Sequence, residues 1–166
     1  MVFLRKKYFI CFNRLPKEHR ISLGLFLESK NYLEKGFVSF PKYNQFWNWN
    51  INKNHKFYSS LESFKSKLPL EIDNVDFEER KWSFELFNTN YYRDSYFQIV
   101  TENQFLSYED QLSFTEKIWK PITNLQPFIL MADRHQIKKL KEWGFKTFHP
   151  FIDESYDDVL DKDKRQ

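Results

Sequence analysis

The segment SFTEK (Ser113–Lys117) sets a carboxylate, Glu116, beside an ammonium, Lys117, where an amphipathic helix is expected to begin. Two chemistries fit that spacing. In the first, Ser113 to Glu116 is an S-x-x-E capping box. The serine caps the helix, Glu116 reaches back to the cap's own backbone N–H, and Lys117 is a solvated cation. In the second, the helix terminus receives an anion, which meets unsatisfied N–H groups and the positive end of the dipole. Lys117 then adds a point charge to a diphosphate, and Glu116, an acceptor when ionised, takes hydrogen bonds from sugar hydroxyls. Spacing alone favours the capping box, which is much the commoner arrangement.

Two further polar clusters each follow an apolar run: NRLPKEHR (Asn13–Arg20) and TEN (Thr101–Asn103). In an open parallel sheet, ligands bind beyond the carboxyl ends of the strands. Asn13, Arg20, Glu102 and Asn103 fall in such places. Near a helix start, Arg20 opposes the dipole by about 0.3–1 kcal/mol, a cost easier to explain if an anion sits there too. His19 is either a proton donor or a loop histidine, and the loop reading is preferred. Trp47 and Trp49 could stack a base or a sugar, but a core role is preferred for them.

Other chemistries find no support. There is no Gly-Lys-Ser/Thr phosphate loop and no G-x-G-x-x-G, and three glycines could not hide one. The four histidines (His19, His55, His135, His149) lack zinc-ligand spacing and no cysteine pair supports them, so no metal is expected. The one D-x-D pair, Asp161 and Asp163, lies in a charged tail. A single cysteine, Cys11, excludes an intramolecular disulfide and reads as a buried, inert thiol, which favours a reducing, cytoplasmic setting. The net charge of +3 suits a phosphate-bearing ligand but falls short of a nucleic-acid footprint. Single-stranded nucleic-acid binding is the weakest reading, since most of the 19 Phe sit in apolar runs. The N-terminal MVFLRKKYFICF is too short in its apolar part for a signal peptide, and no run has the length of a membrane span.

These residues need a scaffold. With 166 residues, 41% of them hydrophobic and 30% charged, the chain is one domain's worth of globular protein. Its heavy use of Asn, Lys, Ile, Phe and Tyr reads first as the bias of an AT-rich coding sequence. Tyr8–Phe12 reads as a buried strand. Ile21, Leu23, Leu25, Phe26 and Leu33 follow a helical pattern stopped by Gly36, and Phe37–Phe40 is a second strand, which completes a βαβ unit. Pro41–Phe57 reads as loop, and Ser59–Asp73 as a short helix capped by Ser59 or Ser60 and stopped at Leu68-Pro69. Arg80–Ser95 is ambiguous, because WSFELF alternates like a strand while the rest does not. Order returns with a strand over Tyr96–Val100, a helix from near Thr115 and a buried strand over Pro127–Ala132. A basic helix capped by Asp133 and ended by Gly144 follows, then a short strand over Phe145–Phe148. The class is α/β with a mostly parallel sheet and flanking helices over 1–150, followed by an acidic, loosely held tail over 151–166.

YFQIVTEN, a loop, SFTEKIWKPI and then PFIL resemble the donor-binding motif of the α-1,3-fucosyltransferases. In that family a strand ends in an acidic-Asn-Ser segment, and a Thr-Glu-Lys helix start and a Pro-led strand follow. NRLPKEHR is placed like the family's Asn…Arg segment. The chain also looks like uncharacterised viral and bacterial proteins that share CFNR…HR, VSF, TEK…KPI…PFI and GFKTF…DESYD. The resemblance spans roughly Tyr8–Phe40 and Tyr96–Phe148. It implies a Rossmann-like domain, the nucleotide-sugar-binding half of a GT-B glycosyltransferase, metal-independent and with GDP-fucose as donor. Arg20 and Lys117 would face the diphosphate, Glu116 the ribose, and Asn13, Glu102 and Asn103 the rest of the donor pocket. The family's turn glycine before the last strand is absent, the segment reading TNLQP (Thr123–Pro127), and Gln104 replaces the Ser. A second, acceptor-binding domain normally brings the catalytic base, so no catalytic residue is assigned, and a partner chain or missing domain is implied. A non-catalytic interaction or virion-associated module that keeps the fold is the alternative.

Overall fold

The computed structural model describes residues 4–44, 49, 51–72, 88–105 and 114–165. Trp47, Ser113 and the WSFELF segment lie outside these. Four strands, β1 (Lys7–Phe12), β2 (Gly36–Ser39), β3 (Ser95–Thr101) and β4 (Phe128–Met131), form one parallel sheet in the order β2-β1-β3-β4. Helices α1 (Glu18–Ser29), α2 (Leu61–Ser66), α3 (Thr89–Arg93), α4 (Glu116–Thr123), α5 (Gln136–Glu142) and α6 (Lys162–Arg165) flank it. The α/β class and the βαβ unit β1-α1-β2 are as the sequence reads. The chain divides into two compact units, Met1–Tyr96 and Phe97–Gln166, with the boundary inside β3.

In the first unit β1 pairs with β2 in parallel, Ile10 opposite Phe37 and Cys11 opposite Val38. Ile10, Cys11, Ile21, Leu25 and Phe64 are buried there. Gly24 lets α2 approach α1, because a Cβ at that position would lie 2.4 Å from the Phe64 ring. The helix ends earlier than its apolar pattern suggests. Asn31 adopts a left-handed φ of 56° and donates to Glu28 O at 3.0 Å, while Tyr32 N–H reaches Leu27 O at 2.7 Å. That is a Schellman stop with Asn in place of Gly. Gly36, expected to stop the helix, opens β2 instead.

In the second unit Val100 lies opposite Leu130, and both join Ile118, Phe128, Ala132, Ile137 and Leu140 in one buried cluster. Helix α5 ends at Gly144 (φ 88°), whose N–H meets Lys141 O while Phe145 N–H meets Leu140 O, so the expected glycine stop is present. Two other expectations fail. Phe145–Phe148 is not a strand, and Asp133 is not the cap of α5. The N-cap is His135, and the carboxylate of Asp157 accepts from Ile137 N–H at 3.1 Å and Lys138 N–H at 2.9 Å. A helix terminus can take its acceptor from anywhere in the fold, which local spacing cannot reveal.

Other residues of the acidic segment 151–166 are also bonded to the rest of the second unit. Glu154 accepts from Phe148 N–H and Thr147 Oγ1 and pairs with Lys141, while the Tyr156 hydroxyl accepts from Leu130 N–H of β4 at 3.1 Å. An acidic composition reads as solvated, yet here the carboxylates satisfy backbone N–H groups that would otherwise be left short.

Candidate functional site

Glu102 is the first residue beyond β3 and is fully buried. A carboxylate in that setting must be hydrogen-bonded. Thr115 supplies the bonds: its N–H donates to Oε1 at 3.2 Å and its hydroxyl donates to Oε2 in a short contact. The end of β3 is thereby tied to the start of α4.

Thr115 is also the N-cap of α4, accepting from Lys117 N–H at 3.4 Å, with Glu116 as the first helical residue. The capping box therefore does not form as the spacing suggests, since Glu116 sits at the first helical position and not the third. There its charge faces the positive end of the dipole, a favourable place. Its carboxylate takes the Lys117 ammonium at 3.0 Å, and the same ammonium donates to Thr115 Oγ1 at 3.1 Å. Burial raises the pKa of Glu116, but the hydrogen bond and charge of Lys117 outweigh it and hold the group below the usual carboxylate value. The side chains of Lys117 and Glu116 are 21% and 25% exposed. Glu102, Glu116 and Lys117 thus meet through Thr115, a residue the sequence reading used only as a helix boundary. The S/T-type cap next to an acid was the available signal. Asn103, next along the chain, is exposed.

Asn13 and Arg20 belong to the first unit. Asn13 is buried just after β1, donates from its backbone to Ser39 O at 3.1 Å, and donates from Nδ2 to Cys11 Sγ at 3.2 Å. Arg20 lies in the first turn of α1, is only 1% exposed, and donates from Nη1 to Leu15 O at 3.2 Å. Burial pushes the Cys11 thiol up to about 12, against the pull of Asn13 and the Arg20 charge, so it stays protonated and unreactive. His19 is a buried residue of α1 and not a loop histidine. Trp49 is buried against Phe40 and Tyr43, a core role.

One pair was missed in the sequence. Ser22 Oγ and His55 Nε2 lie 2.8 Å apart, the spacing of a nucleophile and its base. The direction is wrong, however. His55 Nδ1 accepts from Phe57 N–H at 3.2 Å, so Nε2 carries the proton and donates to the serine, and the pair is structural. Among the described residues no three His, Cys, Asp or Glu side chains are grouped to hold a metal ion, and no helix is long and apolar enough to cross a membrane. Comparison with protein-family models, curated proteins and solved structures finds no match.

Proposed function

We propose that the chain is a glycosyltransferase-like domain that binds a nucleoside-diphosphate sugar at the end of β3 and the start of α4, without a metal ion and in a cytoplasmic setting. The supporting observation is the bonded series Glu102–Thr115–Lys117–Glu116, which puts a fixed helix start and a partly exposed ion pair in one place. Donor binding exchanges partners there. Lys117 leaves Glu116, giving up an ion pair worth about 0–1 kcal/mol, and gains a charge-assisted bond to phosphate worth about 1.5–3 kcal/mol. Glu116 is released to accept from ribose hydroxyls. The helix N–H groups and Lys117 then meet the charge that grows on the leaving diphosphate. GDP-fucose is the donor the resemblance implies, and an acceptor-binding domain or partner chain would supply the base. Asn13 and Arg20 rest on the resemblance alone, and the burial of Arg20 means its surroundings must open before it meets a phosphate.

The second reading is a non-catalytic interaction or virion-associated module. It is favoured by the same ammonium, already satisfied within the chain, and by the enclosed Arg20. Calorimetric titration with GDP, UDP and their sugars, with and without EDTA, separates the two. Binding is expected to survive EDTA. Lys117→Ala should stay folded, losing no more than about 1 kcal/mol of stability with its ion pair, and bind about tenfold or more weakly. Silence at millimolar ligand, a metal requirement, or unchanged affinity in Lys117→Ala would each defeat the proposal.

A further inference from the structure

Resting on the nucleotide-sugar reading, we infer that Arg165 is a positioning residue: it fixes the segment Glu102–Phe105, so that the C-terminal strap sets the affinity of the donor site. The guanidinium donates from Nη2 to Phe105 O at 2.7 Å and from Nη1 to Val159 O at 3.3 Å. Its central carbon also lies 4.7 Å from the centre of the Phe105 ring. One planar group therefore restrains both the backbone and the side chain of Phe105, which is itself buried. An apolar side chain could cover that ring without the cost of enclosing a cation. What the guanidinium adds is direction, through two donors and a flat face.

The strap stands on a firm base. Glu154 holds Phe148 N–H, Tyr156 accepts from Leu130 N–H, and Asp157 caps α5, all before the chain reaches Val159 and Arg165. On the other side Glu102 is fixed by Thr115. Asn103 and Gln104 therefore run between two anchored residues. A segment ordered before the ligand arrives gives up less conformational freedom on binding, and a site left loose by its supports loses affinity.

The test titrates the parent, Arg165→Ala, Arg165→Lys and Tyr156→Phe with GDP and UDP and measures each melting temperature. Arg165→Ala and Arg165→Lys should both bind about tenfold more weakly, because lysine keeps the charge but not the planar, two-carbonyl grip. Tyr156→Phe loosens only the base of the same strap at β4, leaving the Arg165 grip on Phe105 in place, and should melt lower while losing less affinity than Arg165→Ala. The inference is overturned if the parent binds and Arg165→Ala binds equally well. It is also overturned if lysine restores full affinity, or if Tyr156→Phe weakens binding as much as Arg165→Ala. A parent that binds neither nucleotide overturns the nucleotide-sugar reading and this inference with it.

Discussion

Replacing Thr115 by alanine removes one hydroxyl that has two duties. It is a donor to the fully buried Glu102 carboxylate and the acceptor that caps α4 through Lys117 N–H. Losing a hydrogen bond to a charged, buried group costs about 1.5–3 kcal/mol. Losing a threonine N-cap costs about 1 kcal/mol. The two losses share an atom and are not strictly additive, so about 2–4 kcal/mol is expected. For a chain of this length that corresponds to a melting temperature lower by roughly 4–16 °C. Thr115→Ser keeps the hydroxyl and should lose less than about 1 kcal/mol. Urea unfolding followed by circular dichroism reads both values, with the slope checked for constancy. If Thr115→Ala loses less than about 1 kcal/mol, or serine is as damaging as alanine, the hydroxyl does not join β3 to α4 as argued.

Two further substitutions test the two units, one in each. Leu125 holds a left-handed φ of 52° while 93% exposed, so Leu125→Gly should raise stability by about 1 kcal/mol, seen as a higher urea midpoint. No gain would mean that the strain is already relieved. Glu28 reports on pH. Burial raises its pKa, but hydrogen bonds from Lys67 and Ser63 and the Lys67 charge outweigh it and hold it below its ordinary value of 4.5. A group depressed in the folded state stabilises above the unfolded value and loses that contribution as pH falls through the folded one. Unfolding midpoints should therefore fall on acidification below about pH 4.5, and Glu28→Gln should flatten part of that fall. An identical pH profile in the variant would rule Glu28 out as a source.

Strands were the legible part of the fold, because a buried parallel strand is simply a short apolar run. YFICF and PFILMA match β1 and β4 to within a residue at each end and YFQIV falls inside β3, while FKTF forms no strand. Helix ends were legible where glycine or proline marks them, as at Gly144 and at Leu68-Pro69 after α2. Gly144 is visible, while Asn31 and Leu125 make the same stop without a glycine and so pass unnoticed. The segment TNLQP carries no glycine, and its left-handed residue is Leu125. Within the candidate site, SFTEK was recognised as a helix start, but the role of Thr115 was hidden because its partner Glu102 lies 13 residues away. The burial of Arg20 was hidden for a related reason: charge and position along a helix do not tell which face turns inward.

The contact between Tyr156 and Leu130 N–H also bears on how the chain behaves among its own copies. Among the described residues strand β4 is at the edge of the sheet, and its sequence FILM is apolar throughout. An edge of that kind presents unpaired N–H and C=O groups to any passing strand and invites intermolecular sheet growth. A tyrosine hydroxyl seated on one of those N–H groups, with its ring packed on the neighbouring core, makes the edge a poor template. Chains cut short before Ser155 would lose that cover and present a bare, sticky strand. Their expected failing is self-association during expression, a solubility defect distinct from any loss of ligand affinity.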